Sequence, residues 1–220
     1  SASLAPTDIW RLSGKYVAPQ IADQFSIGYY KNIVRNNVLE FSVETYYKDI
    51  KNLVDFKVGA DLQFNKAIET DLLQGDGRSY GLELSAKKSN GWFTGWFNYT
   101  WSRSFIRLNG DFAEERVNGG DFFQTTYDKP HYLNMVTNYK FTRRYSLSLN
   151  LVYSSGRPVT YPIGKWQFNT AESLQYSERN AFRIPDYFRV DLGFDVEGSH
   201  KAKKLAHSFW TFSIYNLFGR

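Results

Sequence analysis

Val38-Leu39-Glu40-Phe41-Ser42-Val43-Glu44-Thr45-Tyr46-Tyr47-Lys48 alternates apolar and polar side chains at a period of two. Tyr145-Ser146-Leu147-Ser148-Leu149-Asn150-Leu151-Val152-Tyr153 does the same. Period two marks a β-strand, in which successive side chains point to opposite faces. Runs this long exceed the roughly five or six residues usual in soluble sheets. They suit the roughly 9–11 residues with which a tilted strand crosses a bilayer. The apolar positions are crowded with aromatic rings. The pattern points to an all-β, antiparallel transmembrane β-barrel, and so to transport or adhesion rather than bond chemistry.

The same alternation recurs along the chain. Strands are predicted at Ile21–Val34, Val38–Phe56, Arg78–Ser89, Trp92–Phe105, His131–Lys140, Tyr145–Ser155, Pro185–Val196 and Ser208–Phe218, with no helix of useful length. Arg35-Asn36-Asn37, Asn90-Gly91 and Phe141-Thr142-Arg143-Arg144 read as short turns, Asn-Gly being the strongest hairpin signal. Between them lie long polar connections, Lys57–Gly77, Ile106–Tyr127 and Gly156–Arg183, and the first 20 residues read as loop. Short turns on one side and long loops on the other are the outer-membrane pattern. Residues 36, 90 and 142 are therefore expected in periplasmic turns, and the stretches around 65, 115 and 170 outside. The parity of the connections sends the eighth strand outward, so a further loop and one inward strand are expected after it.

One face of each strand carries Leu, Phe, Val and Tyr. The other carries Glu40, Glu44, Lys48, Glu83, Lys87, Arg189 and Asp191. In a small soluble barrel the apolar face would point inward, and pattern alone leaves that sidedness open. In a membrane barrel it must face lipid, because a Lys or Arg near the midplane costs about 2–4 kcal/mol. The charged face then lines the lumen, and outer-membrane lipid covers the other.

Composition narrows the function. The chain has 220 residues and a mean hydropathy of −0.48, with aromatics at 18%. Low hydropathy does not exclude a barrel, since only every second residue meets lipid, and aromatic girdles would use the excess of rings. Cysteine is absent, which removes disulfide frameworks and thiolate chemistry. The net charge of +5 is scattered, Lys201, Lys203 and Lys204 forming the one tight group, so a nucleic-acid footprint is not expected. Ser1-Ala2-Ser3-Leu4-Ala5-Pro6 lacks the features of a signal peptide.

Catalytic and cofactor motifs are not found. His131, His200 and His207 share no ligand spacing, and neither a phosphate loop nor a hydrolase elbow occurs. Asp191 and Asp195 lie on one strand face about 13 Å apart at a rise of about 3.3 Å per residue, too far to share a proton. No cofactor, metal site or enzymatic activity is expected. The loop residues Arg157, Tyr161 and Trp166, together with Phe122-Phe123, are the candidates for ligand contact.

The order of local motifs resembles a known family. Pro19-Gln20-Ile21-Ala22-Asp23-Gln24-Phe25-Ser26-Ile27-Gly28-Tyr29 is similar to a late barrel strand of TonB-dependent outer-membrane transporters. Tyr46-Tyr47-Lys48-Asp49-Ile50-Lys51-Asn52-Leu53, Gly81-Leu82-Glu83-Leu84 and Trp96-Phe97-Asn98-Tyr99-Thr100-Trp101-Ser102 resemble further family segments in the same order. Pro130-His131-Tyr132-Leu133-Asn134, Arg189-Val190-Asp191-Leu192-Gly193 and Ile214-Tyr215-Asn216-Leu217-Phe218 complete the series. The flavour is that of Bacteroidetes-type receptors.

The resemblance implies that residues 1–220 are the C-terminal part of a 22-stranded barrel, about eight strands of it, in the bacterial outer membrane. It implies active uptake of a scarce ligand: a siderophore, haem, cobalamin, a glycan or a peptide. It implies energising by the TonB–ExbB–ExbD complex through an N-terminal plug outside this sequence, and a surface lipoprotein as a further partner. Residues that grip ligand on the plug cannot be carried over. The rival readings are a self-contained small barrel acting as an adhesin or structural protein, and an outer-membrane enzyme.

Overall fold

The computed structural model of the chain describes residues 12–34, 38–57, 60, 65, 67–168, 171–198 and 208–219. The long strands are β1 (Ile21–Val34), β2 (Val38–Phe56), β3 (Leu72–Lys88) and β4 (Phe93–Arg107). A two-residue β5 (Phe123–Gln124) precedes β6 (His131–Lys140) and β7 (Tyr145–Ser154). The short strands β8 (Pro158–Val159), β9 (Pro162–Phe168), β10 (Ala171–Tyr176) and β11 (Phe182–Arg183) follow, and β12 (Tyr187–Glu197) and β13 (Phe209–Ile214) close the series. The helical elements among the described residues are three single 3₁₀ turns. One antiparallel sheet runs β1-β2-β3-β4-β6-β7-β12-β13, with β5 added to β4.

Register makes this an amphipathic wall. One row across the sheet is Tyr29, Val43, Leu84, Tyr99, Leu133, Tyr153 and Phe188, each opposite the next in its ladder. The adjacent row on that face holds Phe41, Ala86, Phe97, Met135, Leu151 and Val190. On the other face one row reads Gly28, Glu44, Glu83, Thr100, Tyr132, Ser154 and Tyr187. A one-residue slip in any strand would exchange its faces, so the apolar pattern specifies the register.

Among the described residues, the turns around Asn90 and Thr142 lie at one end of the sheet and the long connections after Phe56, Arg107 and Ser154 at the other. At the turn end, Gly91 takes a φ of 96°. Asn90 accepts the Val38 N–H through its side chain, and Lys88 Nζ donates to the carbonyls of Asn90 and Phe93. Thr142 Oγ1 accepts the N–H groups of Arg144 and Tyr145 in the next turn. Arg35-Asn36-Asn37, the Lys201–Lys204 group, His200, His207 and Ser1–Pro6 lie outside the described residues.

The buried core sits at the loop end. Leu73, Ile106, Leu108, Val117 and Phe123 are buried together, with Leu53 against them. In this upper region the apolar side chains have changed face. Leu53, Leu73 and Ile106 continue the face that carries Glu44 and Glu83 lower down. The exchange in β2 occurs at an irregularity between Ile50 and Leu53, where Asn52 adopts a φ of 57°.

Four elements depart from the sequence reading, the first being the connection Ile106–Tyr127, which begins inside β4 and contains β5. β3 begins at Leu72 rather than Arg78, because Leu72–Gly77 ladders with β2 and β4 despite its Gly and Asp content. The third long connection contains strands: β9 and β10 form a hairpin, and β8 pairs with β11. β13 stops at Ile214, since Asn216 takes a φ of 53° and gives its N–H to Asp191 Oδ1; pairing resumes at Leu217, whose N–H reaches the Val190 carbonyl.

Candidate functional site: a polar wall beneath a knitted loop layer

Two regions gather polar chemistry, the middle of the polar face and the loop layer above it. On the polar face Glu44 stands directly opposite Glu83 across the β2–β3 ladder. Like charges so placed repel. Tyr30 donates its hydroxyl to Glu44 Oε2 at 2.6 Å. The neighbouring glycines let two tyrosine rings lie flat on the wall. A Cβ at Gly28 would come within 2.9 Å of the Tyr30 ring, and one at Gly81 within 2.9 Å of Tyr46. The result is a pair of carboxylates flanked by two aromatic faces, a setting that suits a cation. Among the described residues no Lys, Arg or His lies within ion-pair distance of either glutamate.

Several other charges on that face are matched internally. Lys87 Nζ lies 3.6 Å from Glu40. Arg189 Nε donates to both oxygens of Asp191, at 2.8 and 3.1 Å, and Asn150 adds a third side-chain bond at 3.2 Å. Asp195 accepts from Thr211 at 2.8 Å.

The loop layer is knitted by charge. Asp128 has no side-chain exposure and bridges Arg183 and Arg103. It also accepts the Ser104 N–H at 2.6 Å, while Arg183 donates to the carbonyls of Asp128 and Gly156. Arg179 reaches the Asp55 carboxylate at 3.1 Å and the Phe56 carbonyl at 2.6 Å. Its own backbone is held on both sides by the Asn118 side chain. Three connections distant in sequence thus meet at Arg179. Asp186 accepts the Tyr153 hydroxyl at 2.6 Å and the Gly156 N–H at 2.9 Å, and these bonds hold its carboxyl below the usual carboxylate range.

Two clefts open in this layer. One of about 600 Å³ is lined by Tyr16, Lys57, Glu69, Thr70, Leu72 and Glu115. The other, of about 430 Å³, is lined by Arg116, Thr160, Tyr176, Ser177, Glu178 and Arg179.

The loop residues singled out from sequence are dispersed. Arg157 is exposed, and its carbonyl accepts the Ile184 N–H. Tyr161 is 60% exposed and packs edge-on against Phe182. Trp166 is 65% exposed on β9 and donates Nε1 to Gln175 at 3.1 Å. None of the three lines either cleft, though Thr160 and Tyr176 beside them do. Phe123 belongs to the core, whereas Phe122 stacks on two arginines. His131 is bonded at Nδ1 to the Tyr99 hydroxyl at 2.8 Å. Asp128, Arg179 and Arg183 were not legible as a site, being single charges dozens of residues from their partners.

An antiparallel sheet with one apolar face, one charged face and loops gathered at one end defines a stretch of β-barrel wall. The family described as TonB dependent receptor-like, beta-barrel matches residues 4–217, and the chain belongs to that family. Among solved structures, the closed form of the ferric-catecholate import receptor Fiu from E. coli K12 is similar, with a TM-score of 0.59 and 17% identity. The likeness covers 98% of this chain and 26% of that one, so the chain spans about a quarter of that receptor's length. No curated protein matches the sequence.

Proposed function

We propose that the chain forms part of the barrel of an outer-membrane transporter that takes up a scarce ligand, energised by the TonB–ExbB–ExbD complex. The observation that carries this reading is the in-register division of the sheet into an apolar and a charged face. Such a wall fits lipid on one side and a polar interior on the other, as in outer-membrane barrels. Family membership and the fold of the catecholate receptor support it. β1 and β13 stand at opposite ends of the sheet order, which favours a segment of a larger barrel over a self-contained one of eight strands.

The opposed Glu44 and Glu83 fit an interior that is filled. Two facing carboxylates between tyrosine rings call for basic side chains from the occupant, and an N-terminal plug would supply them. Ligand would enter through the loop layer, where the two clefts and the exposed Tyr161 and Trp166 offer contacts. A surface lipoprotein would meet the same layer. The reading involves no bond chemistry.

The test uses the full-length receptor. Purified, it should form a complex with the periplasmic domain of TonB, and cells carrying it should import a labelled ferric–catecholate only while TonB is intact. Failure to bind the TonB domain, or uptake unchanged by removal of TonB, would contradict the proposal.

A further inference from the structure

The apolar face changes character toward the loops. Tyr47, Tyr80 and Trp101 form an aromatic row, with Tyr80 at 6.4 Å from Tyr47 and 5.9 Å from Trp101 between ring centroids. Rings at such a level mark a bilayer interface. Immediately above them the same face carries arginine. Arg78 is two residues beyond Tyr80, about 7 Å along the strand, and lies across the ladder from Phe105. Its guanidinium sits 3.9 Å from the Phe122 centroid and 5.6 Å from that of Phe105. Arg103 covers Phe105 at 4.8 Å, and Arg107 covers Phe122 at 4.9 Å.

The charges here are not fully matched. Arg107 pairs with Asp76, and Asp128 is shared between Arg103 and Arg183. Asp49, opposite Arg78 in register, makes no ion pair with it. Arg78 is left stacked between two rings with a buried Nε that has no hydrogen-bond partner. Among the described residues, Arg78 is thus the guanidinium of this rim without a carboxylate, and it stands on the apolar face one step above the aromatic row. A planar cation held by stacking presents its remaining N–H groups in the fork that suits a phosphate.

We propose that this rim is a binding site for the phosphate of a glycolipid in the outer leaflet, with Arg78 as the principal ligand and the Tyr47–Tyr80–Trp101 row against its sugar and upper acyl region. The proposal rests on the apolar face being the lipid face, as the proposed function requires. A bound headgroup would take up the terminal N–H groups of Arg78 and anchor the Phe122 loop to the membrane surface.

The experiment is native mass spectrometry of the full-length receptor in micelles, titrated with diphosphoryl lipid A, with the same lipid stripped of its phosphates, and with inorganic phosphate. Binding of the diphosphoryl form is expected to weaken about tenfold in Arg78→Gln, the effect of removing one charge-assisted bond to phosphate. Phe122→Leu, which removes the stacking partner without touching the strand, should weaken it to a smaller extent. Arg143→Gln in the opposite turn should leave it unchanged. Equal binding of the phosphorylated and stripped lipids, or an Arg78→Gln receptor that binds like the parent, would overturn the site. Equally tight binding of inorganic phosphate would reassign it to a free anion and overturn the lipid. Heat-modifiable migration of the same samples separates the two levels. A folded barrel without phosphate preference refutes the site alone, whereas a receptor that does not insert in lipid refutes the membrane reading and the site with it.

Discussion

Asp128 shows how a charge becomes tolerable where no water reaches it. A buried carboxylate is costly unless its oxygens are taken up by donors and a countercharge. Here the Ser104 N–H, Arg103 and Arg183 supply both, and they come from β4 and from a connection on the far side of β6 and β7. Asp128→Asn would leave two guanidinium groups facing a neutral amide. We expect a local cost of about 3 kcal/mol, the low end for a broken buried ion pair, because both arginines keep about a quarter of their side-chain exposure. Hydrogen exchange should speed up at Ser104, Thr125 and Ile184 while the mid-strand amides of β3 and β7 keep their protection. Unchanged exchange at those three amides would refute the clasp. Nothing in the sequence marks these residues. A lone Asp or Arg in a polar loop looks like any solvated charge, and only the fold brings Asp128 and Arg183 together.

At the scale of the element, alternation was an accurate guide where one face is uniformly apolar. β1, β2 and β6 run between the residues that periodicity picks out, and β7 differs by one at its end. It failed where side-chain pattern and backbone pairing part company. Leu72–Gly77 carries Gly75, Asp76 and Gly77, poor strand formers, yet it extends the ladder with β2 along its length and the ladder with β4 at Asp76 and Gly77. Pro162–Tyr176 was legible only as loop because its hairpin pairs with itself, away from the wall, so no face of it needs to be uniformly apolar. The core of Leu73, Leu108, Val117 and Phe123 was missed for a related reason. Its members come from strand ends and loops with no shared period. The faces of β7 give the sharpest element-level test. Leu149→Lys puts an ammonium on the apolar face and should cost about 2–4 kcal/mol at midplane. Ser148→Lys, one residue away on the polar face, should cost under about 1 kcal/mol. Denaturant unfolding of the full-length receptor in lipid vesicles reads both, and equal costs would mean that the two faces see the same environment.

For the whole molecule, the central claim is sidedness: lipid against the Leu–Phe–Val face, water and an occupant against the Glu–Asp–Arg face. The apolar band between Tyr145 and Tyr153 on β7 spans about 27 Å along the strand at about 3.4 Å per residue, or about 20 Å of height at a barrel tilt near 40°. That fits inside the lipid-facing band of about 25 Å in outer-membrane barrels, with Tyr145 and Phe194 stacked near one edge and Tyr153 at the other. The same pattern folded inside out, with rings packed in the interior, would be a soluble barrel. Spin labels placed singly from Ser146 to Val152 in the membrane-reconstituted full-length receptor decide between them. Labels at 147, 149 and 151 should be reached by dissolved oxygen from the lipid and shielded from a water-soluble nickel chelate, with 146, 148 and 150 showing the reverse. The opposite phase, or no period-two variation at all, would contradict the account.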